Sequence, residues 1–576
     1  MKHYDICIVG SGAGASPIAY ELAKAGAKVV VLEKGPWLTE KEFFKDELAI
    51  SLHDAYNPSL KDEKHVIEEE YEDNQGNSYW QGEATDESGW SFWNGNMVGG
   101  SSNLMSGYFH RLKPVDFKLK STYGDIEGAN IADWPISYDE LEPYYAKVEQ
   151  VVGVSGKVLN HPAQEPRSTP DFPFPPLAEH GVSKWIDEAA ERIGFHSFPV
   201  PRAVLSRPAM GRRSCEYSGY CSSYGCSSGA KGSGRAALLN HAVASGNCDI
   251  IPHAKVFHID SNEQADVTQV NYYDKKGRKQ AVKASLYVVA CQAVETSRLL
   301  LSSKSKKFPN GLANNNGQVG KNLVFSAGGT GAGDFFFKDL TKEQEAQLRQ
   351  VGPFINRGLQ DWYEINDKSF VGANPKGQAK GGTIDFLFHQ NPIARSYGSQ
   401  WSNDDELMWG DDLKESLFTE FTTYKTLRFE VFNDWLPTDD CFVTLDDEVT
   451  DKWGDKVAKV RIGYHPHDLK VGEYIAEKGE ELLRAMGAKN VYSSVSGYPP
   501  SNLMAGGCRF GDDPKTTVLN KDCRAHEVSN LYVTDGSFMP TGGSVPYTFT
   551  IYANAFRVAD KIKTHWQNKN KGQNNV

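Results

Sequence analysis

The chain has 576 residues, too many for one simple core, and its 39% hydrophobic and 24% charged content is that of a globular protein with about two to four folding units. Its 62 basic and 74 acidic residues give a net charge of −12 with no basic run, which speaks against nucleic acid or an anionic membrane as the main partner. No stretch reaches the roughly 20 apolar residues of a membrane helix, the start MKHYDICIVGSG lacks a signal-peptide core, and nine cysteines do not make a disulfide framework, so a cytoplasmic protein with no direct membrane span is expected.

Residues 4–9, YDICIV, form a short apolar strand that ends at GSGAGASPIAYELAKAG, a glycine turn and a helical pattern; AKVVVLEKG then reads as a second buried strand. This is a β-turn-α-β unit of the kind that opens a doubly wound parallel sheet. Within it, Gly10, Gly12 and Ala15 have dinucleotide-binding spacing: the glycines admit a pyrophosphate to backbone N–H groups at a positive helix end, and Ala15 lets the helix close on the sheet. Glu33, ending the second strand, is placed to accept hydrogen bonds from a ribose diol. The pattern alone does not separate NAD from FAD.

Residues 37–93 are charged and aromatic and read as an excursion over the domain. NGNMVGGSSNLMSG (94–107) is a glycine-rich loop, and 132–154 predict a helix capped by Ser137. The proline-rich stretch 155–214 reads as a long domain crossing containing one helix, VSKWIDEAAERIG. CEYSGYCSSYGC then sets Cys215, Cys221 and Cys226 close together at intervals that are not the paired C-x-x-C of zinc ribbons; metal or cluster ligation, a disulfide and ordinary packing all stay open.

ASLYVVACQAVETSRLLLSS (284–303) repeats the strand-turn-helix logic and is predicted to rejoin the first sheet. The alternating segments GGTIDFLFH, TLRFEVFN, DCFVTLD and VAKVRIGYH, between about 325 and 466, predict one antiparallel sheet, and 468–486 a helix stopped by Gly487. NLYVTDGSFMPTGG followed by VPYTFTIYANAFRVADKIKTHW reads as a strand ending on Asp535 and Gly536, a glycine turn and a closing helix with Pro546 in its first turn. A helix N-terminus aimed at the pyrimidine end of an isoalloxazine would stabilise negative charge on a reduced flavin, which favours FAD. The tail QNKNKGQNNV is polar and expected to be disordered.

GSGAGA with Glu33, the loop NMVGGSSNLMSGYFHRLKPVDF, the segment DWPISYDELEPYY and the end NLYVTDGSFMPTGGSVPYTFTIYANAFRVADKI, in that order, resemble the glucose-methanol-choline (GMC) oxidoreductases, in particular the large subunits of bacterial gluconate, sorbitol and glucose dehydrogenases. The resemblance implies a mixed α/β plus α+β protein: a doubly wound, Rossmann-like FAD-binding domain and a substrate domain built on an antiparallel sheet. The FAD-binding domain would comprise 1–120, 211–325 with the cysteine cluster, and 499–565; the connection and substrate domain 121–210 and 326–498; and the tail 566–576. Residues holding FAD would be Gly10, Gly12, Ala15, Glu33, Gly99, Gly100, Ser101, Asn103, Asp535, Gly536, Pro546 and Tyr547. Leu104 stands where some relatives carry a histidine bonded to the flavin, so FAD is expected to be non-covalent. Cys215, Cys221 and Cys226 match positions that hold an iron-sulfur cluster in some relatives, with three thiolates suiting a three-iron, four-sulfur (3Fe-4S) cluster; zinc with a remote histidine is the alternative.

The implied activity is oxidation of a CH–OH group of a sugar, sugar acid or polyol, with electrons leaving through the cluster to a small companion subunit or a cytochrome. Some such companions carry the export signal, which makes a periplasmic address the alternative to a cytoplasmic one. The chain departs from the family at the proton-handling pair: Leu503 occupies the position of the usual histidine and Pro546 that of the usual asparagine. A one-residue slip offers Asn502 and Tyr547, and His389 or His465 are candidate bases from elsewhere. Glu430 and Asp434 in RFEVFNDWLP read as structural or substrate-orienting acids. The rival expectations are a flavin and iron-sulfur electron-relay subunit, or a flavin enzyme of non-alcohol chemistry.

Overall fold

The computed structural model describes residues 3–47, 64–88, 92, 94–221, 224–326, 328–388, 391–396, 398–402, 406–496 and 503–573. The strands His3–Val9 and Val29–Leu32 pair in parallel, from Ile6 opposite Val29 to Val9 opposite Leu32, and the helix Ser16–Lys24 connects them. VVVL is buried along its whole length, as befits a strand covered on both faces. Cys248–Ile251 extends this sheet beyond Val29–Leu32; on the other side the C-terminal half of Lys279–Val289 pairs with His3–Val9 and then with Leu531–Val533. The expectation that 284–303 rejoins the first sheet is met. The N-terminal half of Lys279–Val289 continues instead into an antiparallel meander with Val267–Tyr273 and Lys255–Ser261.

A second sheet is six-stranded and antiparallel, in the order Lys489–Ser494, Gly329–Phe336, Tyr424–Asn433, Gly382–Leu387, Arg357–Leu359, Ser197–Pro199. Alternation along its third strand explains how it packs. Leu427, Phe429 and Val431 bury against Val471, Ile475, Leu482 and Leu483 of the helix Pro466–Ala485, leaving Arg428, Glu430 and Phe432 on the opposite face. The protein is thus a mixed α/β fold with a doubly wound first unit and an antiparallel second one.

Three readings need correction. The tail read as disordered is helical as far as Gln573, where the closing helix Thr548–Gln573 ends. DCFVTLD and VAKVRIGYH do not extend the six-stranded sheet: Phe442–Thr450 and Lys456–Arg461 form a separate sheet with a hairpin, Val66–Glu72 and Ser78–Ala84, from the segment read as an excursion. The closing helix begins at Thr548, so Pro546 precedes it rather than lying in its first turn. Local signals held elsewhere: Ser137 accepts a 3.2 Å hydrogen bond from the Glu140 N–H while its own N–H donates to the Glu140 carboxylate, and Gly487, at φ +90°, follows the helix Pro466–Ala485. Among the described residues no helix is long and apolar enough to cross a membrane.

Candidate functional site

A cavity of about 550 Å³ is bounded on one side by the strand ends and glycine turn of the first sheet and on the other by Gly329, Thr330, Glu430 and Phe432 of the antiparallel sheet. Gly10 turns the chain at φ +91°, and a Cβ there would lie 2.2 Å from the Ala290 carbonyl oxygen, so only glycine fits between the neighbouring strand ends. Gly12 differs in kind: a Cβ on it would meet no atom within 4 Å and would enter the cavity. The Ser11 hydroxyl donates to the Glu33 carboxylate and accepts the Gly99 N–H at 2.9 Å, and Glu33 also accepts the Gly35 N–H at 2.9 Å. These bonds hold the first turn, the end of the second strand and the 94–107 loop as one wall.

Gly10, Gly12, Glu33, Gly100, Ser101, Asp535, Gly536, Pro546 and Tyr547 all line this cavity. Ala15, Gly99 and Asn103 do not. Ala15 is fully buried between helix and sheet, Gly99 turns the loop at φ +97°, and the Asn103 side-chain amide ties that turn by donating to the Val98 and Gly100 carbonyls at 3.0 Å each. Asp535 accepts the Gln292 N–H at 3.1 Å and the Ser537 N–H at 2.9 Å, joining the last strand to the start of the helix Ala293–Ser302. Burial raises its carboxyl above the usual range against the pull of these hydrogen bonds. Beyond Glu33 the lining turns cationic, with Lys34, Lys255 and Arg298. Burial, and next the Arg298 charge, push Lys255 down to about 7.

At the antiparallel-sheet end, Glu430 stands between Thr330 and Asp385 in register across three strands. Asp385 is occupied by His110, whose ring nitrogen approaches it at 2.9 Å, and the Arg202 guanidinium stacks on Tyr108 at 4.2 Å. No hydrogen-bonding or ion-pair partner among the described residues reaches the Glu430 carboxyl. Burial, reinforced by the Asp385 charge and offset in part by Arg202, raises it to about 7. This residue, read from sequence as structural or orienting, is the functional candidate that sequence reasoning undervalued. The alternation of RFEVFN, which sets Arg428 and Glu430 opposite an apolar face, was the available signal.

Leu503 and Pro546 line the same cavity, so both positions of the altered pair reach the site with side chains that cannot exchange a proton. The Pro546 segment is held beside the sheet by Ser326, whose hydroxyl donates to the Val545 carbonyl at 3.4 Å and which bridges to Asp434. Tyr547 offers no base: its buried hydroxyl donates to the Phe325 carbonyl, and burial together with the Asp434 charge drives its ionisation far above the ordinary tyrosine value. His465 lies outside the lining. It is the N-cap of the helix Pro466–Ala485, one ring nitrogen accepting the His467 N–H at 3.1 Å and the other 2.8 Å from the Glu127 carbonyl. Asn502 and His389 lie outside the described residues.

Cys215, Cys221 and Cys226 are unbridged and occupy one loop, where Cys215 is raised to about 12 by burial and then by the two other thiols. Burial also opposes ionisation of Cys226, but the Lys231 ammonium and the N–H groups of Ser228 and Lys231 bring it below an ordinary thiol. Backbone N–H groups of Tyr217 and Lys231 donate to Cys215 and Cys226 sulfur at 3.4 Å each. Lys231 itself is buried and donates to the carbonyls of Cys221, Tyr224 and Asn103, which fastens this loop to the cavity wall. Even so, among the described residues no group of three His, Cys, Asp or Glu side chains is arranged to hold a metal ion, so this geometry does not converge the thiols on a cluster as the sequence implied.

Comparison with known proteins gives matches to the GMC oxidoreductase family over residues 175–326 and 437–555. The chain is 29% identical to the 2-methyl-1,2-propanediol dehydrogenase of Mycolicibacterium austroafricanum, covering 97% of this chain and 95% of that one. It is 30% identical to the paromamine 6′-oxidase of Streptomyces fradiae over 97% and 91%, and 26% identical to the fructose dehydrogenase large subunit of Gluconobacter japonicus over 97% of each. Among solved structures, a formate oxidase of Aspergillus oryzae RIB40 shares the fold with a TM-score of 0.63 at 15% identity, covering 98% of this chain and 99% of that one.

Proposed function

The chain belongs to the GMC oxidoreductase family, whose members are FAD-dependent oxidoreductases acting on CH–OH donors, and from that membership we propose that it is a dehydrogenase of a small neutral sugar or polyol. The observation that carries the reading is the single cavity running from Gly12 and Glu33 to the face of the antiparallel sheet. Gly12 leaves room for a pyrophosphate at the N-terminus of the helix Ser16–Lys24, and Glu33 can accept from a ribose diol. Gly100, Ser101, Asp535 and Gly536 would hold the middle of the cofactor, and the segment at Pro546 its ring. Bound FAD supplies the two-electron oxidant. At the far end the described lining residues present the Glu430 carboxyl and no Lys, Arg or His, which disfavours an anionic sugar acid.

Anaerobic mixing of the flavoprotein with a panel of polyols, sugars and sugar acids tests this. Loss of the flavin's visible absorbance with a neutral alcohol is the expected result. Bleaching only by compounds without a hydroxyl would overturn it in favour of non-alcohol chemistry, and bleaching by none in favour of electron relay. Leu503 and Pro546 in the cavity wall favour those rivals.

An iron-sulfur cluster on Cys215, Cys221 and Cys226 is a separate proposal. The sequence match, the placement of the three thiols in one loop and the N–H···S bonds to Cys215 and Cys226 support it, while ligation requires the loop to draw its sulfurs together. Electrons would then leave toward a companion subunit, as the likeness to a dehydrogenase large subunit suggests, and a cytochrome. One acid quench reads both cofactors. With Leu104 facing the cavity, all flavin should appear in the supernatant, and about three irons per chain with acid-labile sulfide are expected for a three-iron cluster. Flavin left on the precipitate, or no iron, would overturn the respective statement.

A further inference from the structure

We propose that Glu430 is the general base that takes the substrate's hydroxyl proton, in place of the imidazole missing at position 503. The proposal rests on the CH–OH reading above. Its geometric ground is position and availability. Glu430 projects from the middle of the antiparallel sheet into the same cavity as Leu503 and Pro546, on the face not covered by the helix Pro466–Ala485. The other acids of the lining are engaged: Glu33 by Ser11 and Gly35, Glu295 by Arg298 and His65, Asp535 by Gln292 and Ser537. Tyr547 spends its hydroxyl on a carbonyl. Glu430 alone among the described acids of the lining presents a carboxyl that no described partner satisfies.

The groups around it set a suitable basicity. Asp385 lies opposite on the neighbouring strand and repels a second negative charge, although it is itself held by His110. Arg202 attracts one from behind Tyr108, a phenol that burial keeps protonated. Arg428, two residues away on the same face, is the next cation along the strand. Thr330 is neutral, and Phe432, Leu503 and Pro546 keep the surroundings apolar. Burial is the largest influence, and the balance places the carboxyl near neutrality, where a base is both ionised in good measure and strong enough to accept a proton. In the step, the O–H bond breaks toward Glu430, which becomes a neutral carboxylic acid. The carbonyl would form as the C–H electron pair and its hydrogen leave as hydride, for which FAD held by Gly12, Glu33 and Asp535 would supply the two-electron oxidant.

The sign of the pH dependence follows. A base must be deprotonated, so flavin reduction should rise with pH through about 7 and level off above it. The test compares FAD-loaded wild type, Glu430→Gln and Glu430→Asp by anaerobic stopped flow with the best alcohol of the panel from acid to alkaline pH. Infrared titration of the carboxyl C=O band without substrate is the second readout. Glu430→Gln should lower the reduction rate about 10² to 10⁴-fold, abolish the pH limb and remove a C=O band that titrates near neutrality. Glu430→Asp should keep a limb at reduced rate, and it decides the matter if Glu430→Gln retains no FAD. A Glu430→Gln enzyme that reduces flavin within a few-fold of wild type, or keeps the limb, overturns the base and leaves the dehydrogenase reading standing. A wild-type flavin that no alcohol bleaches overturns both.

Discussion

Alanine at Gly10 should prevent the flavoprotein from forming, while alanine at Gly12 should give a folded protein that does not retain FAD. At Gly10 the backbone has φ +91° and the new methyl carbon would sit 2.2 Å from the Ala290 oxygen and 2.8 Å from its carbonyl carbon. Backbone strain alone costs about 1–3 kcal/mol, and relieving the contact means separating His3–Val9 from Lys279–Val289, the pair at the centre of the first sheet. At Gly12 no protein atom lies within 4 Å of the added carbon, so thermal unfolding of the apoprotein should hardly change. The methyl group would instead occupy the space of a bound pyrophosphate. Gly26→Ala is the control, because it combines φ +92° with open surroundings and isolates strain from collision. Flavin-to-protein absorbance ratios and apoprotein melting curves separate the three. A Gly12→Ala protein that keeps its flavin would show that the cofactor does not approach this turn.

Lys380→Met should destabilise the protein by about 3–5 kcal/mol, since it removes the cation from a buried cluster and leaves the acids uncompensated. Lys380 is 3.0 Å from Asp116 and 3.7 Å from Asp434, and donates to the Ser544 hydroxyl at 2.6 Å, beneath the segment that carries Pro546 into the cavity. The Tyr363 hydroxyl also donates to Asp116, at 2.6 Å. Burial already raises Asp434 to about 6 even though Lys380 opposes the shift, and without Lys380 it rises further. A carboxyl whose folded pKa exceeds its unfolded value holds, between the two, a proton that the unfolded chain has lost. Stability therefore falls as pH rises through that interval. Lys380→Met should accordingly be less impaired near pH 5 than near pH 8, and adding Asp434→Asn should recover part of the loss. Urea unfolding at both pH values checks the sign; equal losses at the two would mean that the acids do not carry the effect.

What the amino-acid order determined by itself was local. The glycine turn, the alternation of strand segments, the Ser137 cap and the stop at Gly487 each follow from backbone preferences or side-chain periodicity within a few residues. Most of the cavity wall was readable for the same reason: Gly10, Gly12 and Glu33 lie in one short β-turn-α-β unit, and Asp535 and Gly536 end a strand of the same sheet. Pairing over long distance was not readable. Val66–Glu72 joins Lys456–Arg461 in parallel, and no local signal chooses between that partner and the neighbouring antiparallel sheet, because alternation marks which face of a strand is apolar but not what covers it. Glu430 depended on the same missing fact. Its strand shows two faces in the sequence, and only the docking of the helix Pro466–Ala485 on Leu427, Phe429 and Val431 decided that the face carrying Glu430 would meet the cavity. Its basicity, too, came from tertiary neighbours: burial, Asp385 from the adjacent strand and Arg202 from a distant segment act together only once the chain has closed around them.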